Sequence, residues 1–222
     1  MNGLIDQFFN IDVMRQSLPF LLNGLWITLL MTAVLAPLGL FLGLVLALAS
    51  GIRHRALRGV VRAWVNIFRA LPPLVLIIFV YSALPFLGIR LPALVAVAAA
   101  LLLNCSAYYC EILRAGLGSV GPGQLEAARS TGLSHLQAMR YIVLPQAMKN
   151  VRPDLASNTI EVVKGTSLAS IIGVHELLHM AGVARSVTYN ASPIVLAAAL
   201  YLLFLLPAVR LTGRLERRHG KI

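Results

Sequence analysis

Long runs of apolar residues constrain the fold of this 222-residue chain more than any other feature. Hydrophobic residues make up 59% of the chain and charged residues only 12%, a balance unlike that of a soluble domain. A helix crosses the roughly 30 Å hydrocarbon core of a membrane with about 20 residues. The alternating pattern of a membrane β-barrel is absent, so helices must satisfy the backbone inside lipid. The sequence predicts an all-α polytopic membrane protein with five transmembrane helices.

Prolines and glycines help to place these helices along the chain. Pro72 with Pro73, and Pro153, are expected to open two of them, because proline is tolerated in a first helical turn. Gly39 and Gly43 have the G-x-x-x-G spacing that permits close helix approach. The predicted spans cover about 19–50, 72–84, 92–116, 153–173 and 193–211.

The formal net charge of +11 comes largely from three basic groups between or after the apolar runs. By the positive-inside rule these groups are cytoplasmic, and five crossings then place the N-terminus outside. We expect 1–18 to be an external segment, 51–69 a helix along the cytoplasmic surface and 213–222 a basic cytoplasmic tail. Membrane topology accounts for the charge, so no nucleic acid partner is expected. The three groups are Arg53, Arg55, Arg58, Arg62 and Arg69; Arg114, Arg129, Arg140, Lys149 and Arg152; and Arg210, Arg214, Arg217, Arg218 and Lys221.

The polar stretch at about 118–152 carries the pattern E-A-A-x3-G-x9-I-x-L-P, which starts at Glu126. Ala127 and Ala128 favour helix, and Gly132 is expected to end it as a left-handed cap. Glu126 and Arg129 would then share one face, and Pro145 is expected to break a second helical stretch. A charged helix parallel to the surface is suited to docking on a separate protein. The alternative is an amphipathic loop with no partner.

This pattern resembles the loop through which permease subunits of bacterial ABC importers engage their ATPases. The likeness covers about residues 20–212 and is greatest to the permeases for histidine, glutamate, glutamine, arginine and opines. Two departures concern the substrate: Gly165 stands where an Asp or Asn is common, and apolar residues at 74–78 stand where a Gln is common. Similar residues are Asn23-Gly24-Leu25-Trp26 with Thr28, Arg69 with Pro72, Tyr108-Tyr109-Cys110-Glu111-Ile112 with Arg114, Gly123-Gln124, Leu144-Pro145-Gln146-Ala147 and Lys164-Gly165-Thr166-Ser167-Leu168.

The resemblance implies a type I importer permease domain at 19–212 with a cytoplasmic coupling helix, in the bacterial inner membrane. It implies a transport subunit that is not itself an enzyme, with two ATPase subunits, a second permease subunit (identical or paralogous) and an external solute-binding protein as partners. The chain lacks G-x-x-x-x-G-K-[ST], so ATP and Mg²⁺ are expected on the partner ATPases. The implied ATPase-coupling residues are Glu126, Ala127, Ala128, Arg129 and Gly132.

Two other transport classes compete with an importer of polar amino acids. One is an ABC importer for a different small solute, such as methionine, an opine or an osmolyte. The other is a secondary transporter, which normally shows internal repeats and broken helices at matching positions. The sequence shows neither of those features.

Glu161 and Lys164 stand inside a predicted span. They lie roughly 12 and 16 Å along the helix from Pro153, at 1.5 Å per residue. A charge at that depth costs about 3 kcal/mol or more unless it is paired or faces water. Their i,i+3 spacing permits a self-satisfied pair. The alternative is that they line the translocation pathway, where an α-ammonium and an α-carboxylate of a solute would meet both signs.

Asn104, Tyr108 and Glu111 fall at i, i+4 and i+7, on one face of the third span. This face either lines the pathway or makes hydrogen bonds between helices. Thr166 and Ser167 could add short polar contacts at the level of Lys164. The predicted pathway residues are therefore Asn104, Tyr108, Glu111, Glu161, Lys164, Thr166 and Ser167.

His175-Glu176-Leu177-Leu178-His179 matches H-E-x-x-H, the pattern of zinc metalloproteases. Two histidines at i and i+4 can hold zinc, with the glutamate as general base. The longer form of the pattern, with Gly182, needs a third histidine at the position of Arg185, and a guanidinium cannot bind zinc. A membrane metalloprotease is thus a remote alternative, and no metal site is expected.

Overall fold

The computed structural model describes residues 2–52 and 54–219, and every regular element in these ranges is helical. Arg53 and Lys221, two members of the predicted basic groups, lie outside the described residues. A 3₁₀ turn follows α4 at Leu84–Leu87 and another follows α8 at Ser167–Ile172, and a π turn at Met139–Val143 joins α7 to α8. The α-helices are α1 (Asn2–Phe9), α2 (Ile11–Gly51), α3 (Arg55–Ala70), α4 (Pro73–Ala83), α5 (Ala93–Gly118), α6 (Pro122–Ser130), α7 (His135–Ala138), α8 (Leu144–Thr166), α9 (Leu177–Thr188) and α10 (Ser192–His219).

Three helices of the described chain, α2, α5 and α10, are long and apolar enough to cross a membrane by themselves. Two further spans are possible if each of two bent pairs counts as one, which permits up to five. In the first pair α3 and α4 meet at 102°, and in the second the α8 segment and α9 meet at 45°. The 11 residues of α4 rise only about 17 Å, well short of the hydrocarbon thickness. The second predicted span is therefore a short helix that meets α3 at a sharp bend.

The first long helix begins earlier than the sequence predicts. Asn10 caps α2, and its side-chain oxygen accepts a hydrogen bond from the backbone N–H of Val13 at 3.1 Å. Pro19, the predicted start, lies inside the helix, as does Pro37. The prediction is wrong because a proline at a helix start and one inside a membrane helix look alike in sequence, and membrane helices tolerate the latter.

The same error places the start of the fourth predicted helix too late. Pro153 lies inside α8, which already begins at Leu144. Pro145 does not break the helix, because it falls in the first turn of α8, where its missing N–H is tolerated. The Leu144 N–H reaches back five residues to the carbonyl of Met139, so the wider π turn carries the chain into α8.

Among the described helices, α2 and α5 share the most extensive contact. A Cβ added at Gly43 would lie 2.6 Å from the Cβ of Tyr109 and 2.9 Å from the backbone N of Cys110. No larger residue fits there without a shift, so the close approach predicted from the glycine spacing is confirmed. Tyr109 is 1% exposed, and its hydroxyl shares a 2.8 Å hydrogen bond with Thr159 of α8. The helix α5 thus joins α2 to α8 and positions the polar residues described below.

Candidate functional site

The E-A-A segment forms α6, a short helix that ends as the sequence predicts. Gly132 has φ +91°, a left-handed conformation that side chains other than glycine's rarely adopt. The N–H of Gly132 donates to the Arg129 carbonyl at 3.0 Å, and the N–H of Leu133 donates to the Ala128 carbonyl at 3.4 Å. These bonds satisfy carbonyls that the helix end leaves free.

One side of α6 packs against the rest of the protein, and the other side is exposed. Ala128 is buried, whereas Glu126, Ala127 and Arg129 are exposed. Glu126 and Arg129 lie three residues apart on one face, and neither has an ion-pair partner in the described part of the chain. The exposed face therefore presents one negative and one positive charge to the surroundings.

The rest of the polar loop is folded onto α8. Ser134 caps α7 through a capping box with Gln137. The Nδ2 of Asn150 donates to the Ser119 hydroxyl at 2.8 Å, which ties the first turns of α8 to the end of α5. The helix α8 runs for 23 residues, about 33 Å, from Leu144 to Thr166. One helix therefore joins the loop to the polar residues inside the membrane-spanning part.

A cavity of about 380 Å³ brings together four of the seven predicted pathway residues. Asn104 and Tyr108 reach it from α5, and Glu161 and Lys164 reach it from α8. The Lys164 Nζ donates to the Glu161 Oε1 at 2.6 Å, so the two form the i,i+3 pair that the sequence permits. Both side chains remain more than half exposed, at 65% for Glu161 and 52% for Lys164. The pair therefore leaves part of each charge available to a solute, water or another subunit.

The polar face of α5 makes hydrogen bonds between helices at the same time. The Asn104 Nδ2 donates to the Phe68 carbonyl at 2.7 Å, and the Tyr108 hydroxyl donates to the Arg69 carbonyl at 3.4 Å. Glu111 contacts Arg114 at 2.9 Å and Arg69 at 3.8 Å. The predicted shared face is confirmed, and its residues contact the end of α3.

A profile described as "Binding-protein-dependent transport system inner membrane component" matches residues 39–221. The chain belongs to this family. The permease is 34% identical over 203 residues to the arginine transport system permease protein ArtQ of Bacillus subtilis, covering 90% of this chain and 93% of that protein. It is 38% identical over 189 residues to the probable glutamine ABC transporter permease protein GlnP of the same organism, covering 84% and 87%.

Two solved structures are similar to the permease. A crystal structure of an amino acid ABC transporter with histidines has a TM-score of 0.86 at 37% identity, covering 92% of this chain and 96% of that one. An inward-facing MetNI methionine ABC transporter has a TM-score of 0.70 at 22% identity, covering 89% and 97%. The second likeness shows the fold alone. The permease therefore has the type I importer fold and is a multi-pass transport component of the inner membrane. Members of its family work with ATPase and binding-protein partners.

The remaining predicted pathway residues of the permease lie outside the cavity. Thr166 is fully buried, and its hydroxyl donates to the Val163 carbonyl at 2.7 Å. The Ser167 hydroxyl donates to the Lys164 carbonyl at 2.7 Å, and Glu111 lies nearer the end of α5. Sequence reasoning missed Asn158, which lines the cavity beside Glu161. Its i,i+3 spacing to Glu161 on α8 is the signal that could have found it.

The H-E-x-x-H segment of the permease is built as a helix cap. The helix α9 begins at Leu177, so His175 precedes it; the centres of the His175 and His179 rings lie 5.1 Å apart. The Glu176 carboxylate is fully buried and accepts hydrogen bonds from the N–H groups of Leu178 and His179 and from the Tyr201 hydroxyl. A carboxylate so occupied is not free to serve as general base. The described residues hold no group of three or more metal-ligating side chains.

Proposed function

We propose that this permease carries polar amino acids into the cell as part of an ATP-driven importer. The relatives named for arginine and glutamine transport, at 34% and 38% identity, are the observation that supports this substrate class most directly. The methionine transporter, at 22% identity, supports only the fold. Which amino acid is carried depends on the cavity and on the binding protein that delivers the solute.

The translocation pathway is formed by two permease subunits, either identical or paralogous. The half-exposed pair of Glu161 and Lys164 supports this assembly, because two charges in a membrane-spanning region need a partner subunit or water over their open side. A groove between α8 and α10 also reaches this pair from the other side. An α-carboxylate of the solute would meet Lys164 and an α-ammonium would meet Glu161. Glu111, Thr166 and Ser167 stay predicted pathway residues without a place in this cavity.

Two ATPase subunits bind ATP and Mg²⁺ and engage the permease through α6. The exposed charges of Glu126 and Arg129 support docking there, since they have no ion-pair partner in the described chain. The buried Ala128 packs α6 against its own subunit, and Gly132 turns the chain back toward α8. ATP-driven closure of the ATPases would move α6, and α8 would carry that movement about 26 to 30 Å, from Leu144 to Glu161 and Lys164 at the cavity.

We propose the sides of the membrane as follows, in agreement with the positive-inside rule. The loop at 118–152 faces the cytoplasm with the tail at 213–222, and the segment at 1–18 lies outside. The external binding protein would then approach the side that holds α1 and the α9–α10 turn. These are connected, because the Gln7 carbonyl accepts a 2.9 Å hydrogen bond from the Ala191 N–H.

Affinity purification of the tagged subunit in mild detergent tests the proposal. We expect an ATPase to co-purify, and its hydrolysis rate to rise when a binding protein and one of arginine, glutamine, glutamate or histidine are added. Stimulation by methionine or an osmolyte alone would contradict the proposed substrate class but would still support an ATP-driven importer. Recovery of the subunit alone, under conditions that preserve a known importer complex, would contradict the proposal.

A further inference from the structure

Two consecutive prolines shape the junction between α3 and α4, which we call the proline elbow (Phe68–Pro73). The helix α3 ends at Ala70, and Leu71 is extended, with φ −77° and ψ 128°. A residue before proline avoids the helical region, so Leu71 cannot continue α3. The chain resumes as α4 at Pro73, at 102° to α3.

The prolines also remove two hydrogen-bond donors. In a continuous helix the carbonyls of Phe68 and Arg69 would accept from the backbone N–H four residues on. Those positions are Pro72 and Pro73, which have no N–H. The last backbone bond of α3 runs from the Leu71 N–H to the Ile67 carbonyl at 3.1 Å. Two successive carbonyls are therefore left without backbone donors at the end of α3.

Two side chains of α5 supply the missing donors. The Asn104 Nδ2 donates to the Phe68 carbonyl at 2.7 Å, and Asn104 is only 9% exposed. The Tyr108 hydroxyl, one helical turn further on, donates to the Arg69 carbonyl at 3.4 Å. Each carbonyl that a proline deprives of its donor thus receives one from α5.

Arg69 makes further contacts between the proline elbow and α5. Its guanidinium carbon lies 5.4 Å from the centre of the Tyr108 ring, a distance at which a cation and an aromatic face attract. The same guanidinium lies 3.8 Å from Oε2 of Glu111, and Arg114 of α5 contacts that same oxygen at 2.9 Å. The elbow is therefore bound to three successive turns of α5.

We propose that Asn104 and Tyr108 are positioning residues that hold the proline elbow against α5. The cavity wall explains why this matters for transport: Pro73, the first residue of α4, lines the cavity together with both side chains. If the elbow opens, α4 swings and the cavity changes shape. Asn104 and Tyr108 therefore act on solute passage through the direction of α4, whichever solute the importer carries.

Spin labels across the elbow test this inference without knowledge of the solute. Cysteines introduced as Gly59→Cys on α3 and Phe86→Cys after α4 would carry the labels, in a background that lacks Cys105 and Cys110. Phe86 is 92% exposed, and a side chain at Gly59 meets no atom within 4 Å. The distance distribution is measured by pulsed electron resonance on the full chain in lipid nanodiscs.

The test variant is Asn104→Leu, which keeps the shape of Asn but cannot donate. The matched control is Asn158→Leu, because Asn158 lines the same cavity and its Nδ2 has no hydrogen-bond partner in the described chain. We expect a single narrow distance for the parent and for Asn158→Leu, and at least a doubled width for Asn104→Leu. Tyr108→Phe, which keeps the ring and loses only the hydroxyl, should broaden the distribution to a smaller extent.

Uptake of radiolabelled arginine and glutamine supplies the functional readout. A positioning role predicts that Asn104→Leu lowers the maximal uptake rate about tenfold and leaves KM within about twofold of the parent. A distribution for Asn104→Leu and Tyr108→Phe that superimposes on the parent's would overturn the inference, whatever the uptake. An unchanged distribution with a several-fold higher KM would make Asn104 a solute contact instead. If Asn104→Leu does not fold, the Tyr108→Phe distribution decides the question by itself.

Discussion

Replacing Gly132 by alanine isolates the contribution of one backbone conformation to ATPase coupling. No atom lies within 4 Å of a Cβ built at Gly132, so the substitution causes no steric clash. Its cost is the left-handed backbone at φ +91°, which for a residue with a Cβ is about 1–2 kcal/mol. That is a factor of about 5 to 30 in the population of the turn. We expect the fraction of molecules in which the end of α6 is open to rise by this factor.

Hydrogen exchange measures that opening directly. The amides of Gly132 and Leu133 donate to carbonyls of α6, so their protection in Gly132→Ala should fall by about 5- to 30-fold. Uptake should fall with it at unchanged membrane expression, because a frayed α6 transmits movement poorly to α8. Gly132→Pro should go further and abolish uptake while membrane insertion persists.

Gly123→Ala is the matched control for this experiment. Gly123 lies on α6, a side chain there also meets no atom within 4 Å, and its φ is not in the left-handed region. Alanine at that position should leave both exchange and uptake as in the parent. Equal protection and equal uptake in Gly132→Ala and Gly123→Ala would refute the reasoning.

Three further predictions concern other parts of the protein. Glu126→Lys should abolish uptake and the stimulation of ATPase activity by binding protein, because it reverses a charge on the open face of α6; normal uptake at parental expression would contradict a docking role. Gly43→Leu should destabilise the protein by about 1–3 kcal/mol or more, since a side chain there collides with Tyr109, and Gly51→Leu, where space is open, should not; thermal unfolding in detergent compares the two. Zinc chelation should leave uptake unchanged, because the Glu176 carboxylate caps α9; a loss that added zinc restores would revive the metal site.

The Glu161–Lys164 pair shows how one contact can serve two interpretations. The 2.6 Å hydrogen bond agrees with a self-satisfied pair, and the exposure of both side chains agrees with a pathway lining. The two are compatible, since a pair that is open on one side can exchange its internal contact for a solute. The pair would then keep the empty cavity neutral.

Sequence alone determined the features that depend on neighbours along the chain. Apolar length predicted the spanning helices, the spacing of Glu126 and Gly132 predicted a short helix with a left-handed end, and Pro72–Pro73 predicted a helix start. Each follows from backbone geometry over a few residues, which short patterns record well. The family likeness also rests on such patterns, since its motifs are short runs at fixed spacing.

The tertiary structure decided what distant residues do to one another. Pro19 and Pro153 lie inside helices because the surrounding packing tolerates a missing backbone bond, which no local pattern reveals. From the sequence Asn104 could line the pathway or bond to another helix; in the structure it lines the cavity and also donates to a carbonyl 36 positions earlier in the chain. Glu176 matches the general-base position of a zinc motif that the sequence already disfavours, and only the structure shows that its carboxylate caps α9 and accepts from Tyr201. The role of a polar side chain in a membrane protein depends on which group it contacts, and that group is often distant in sequence and comes close only in the folded chain.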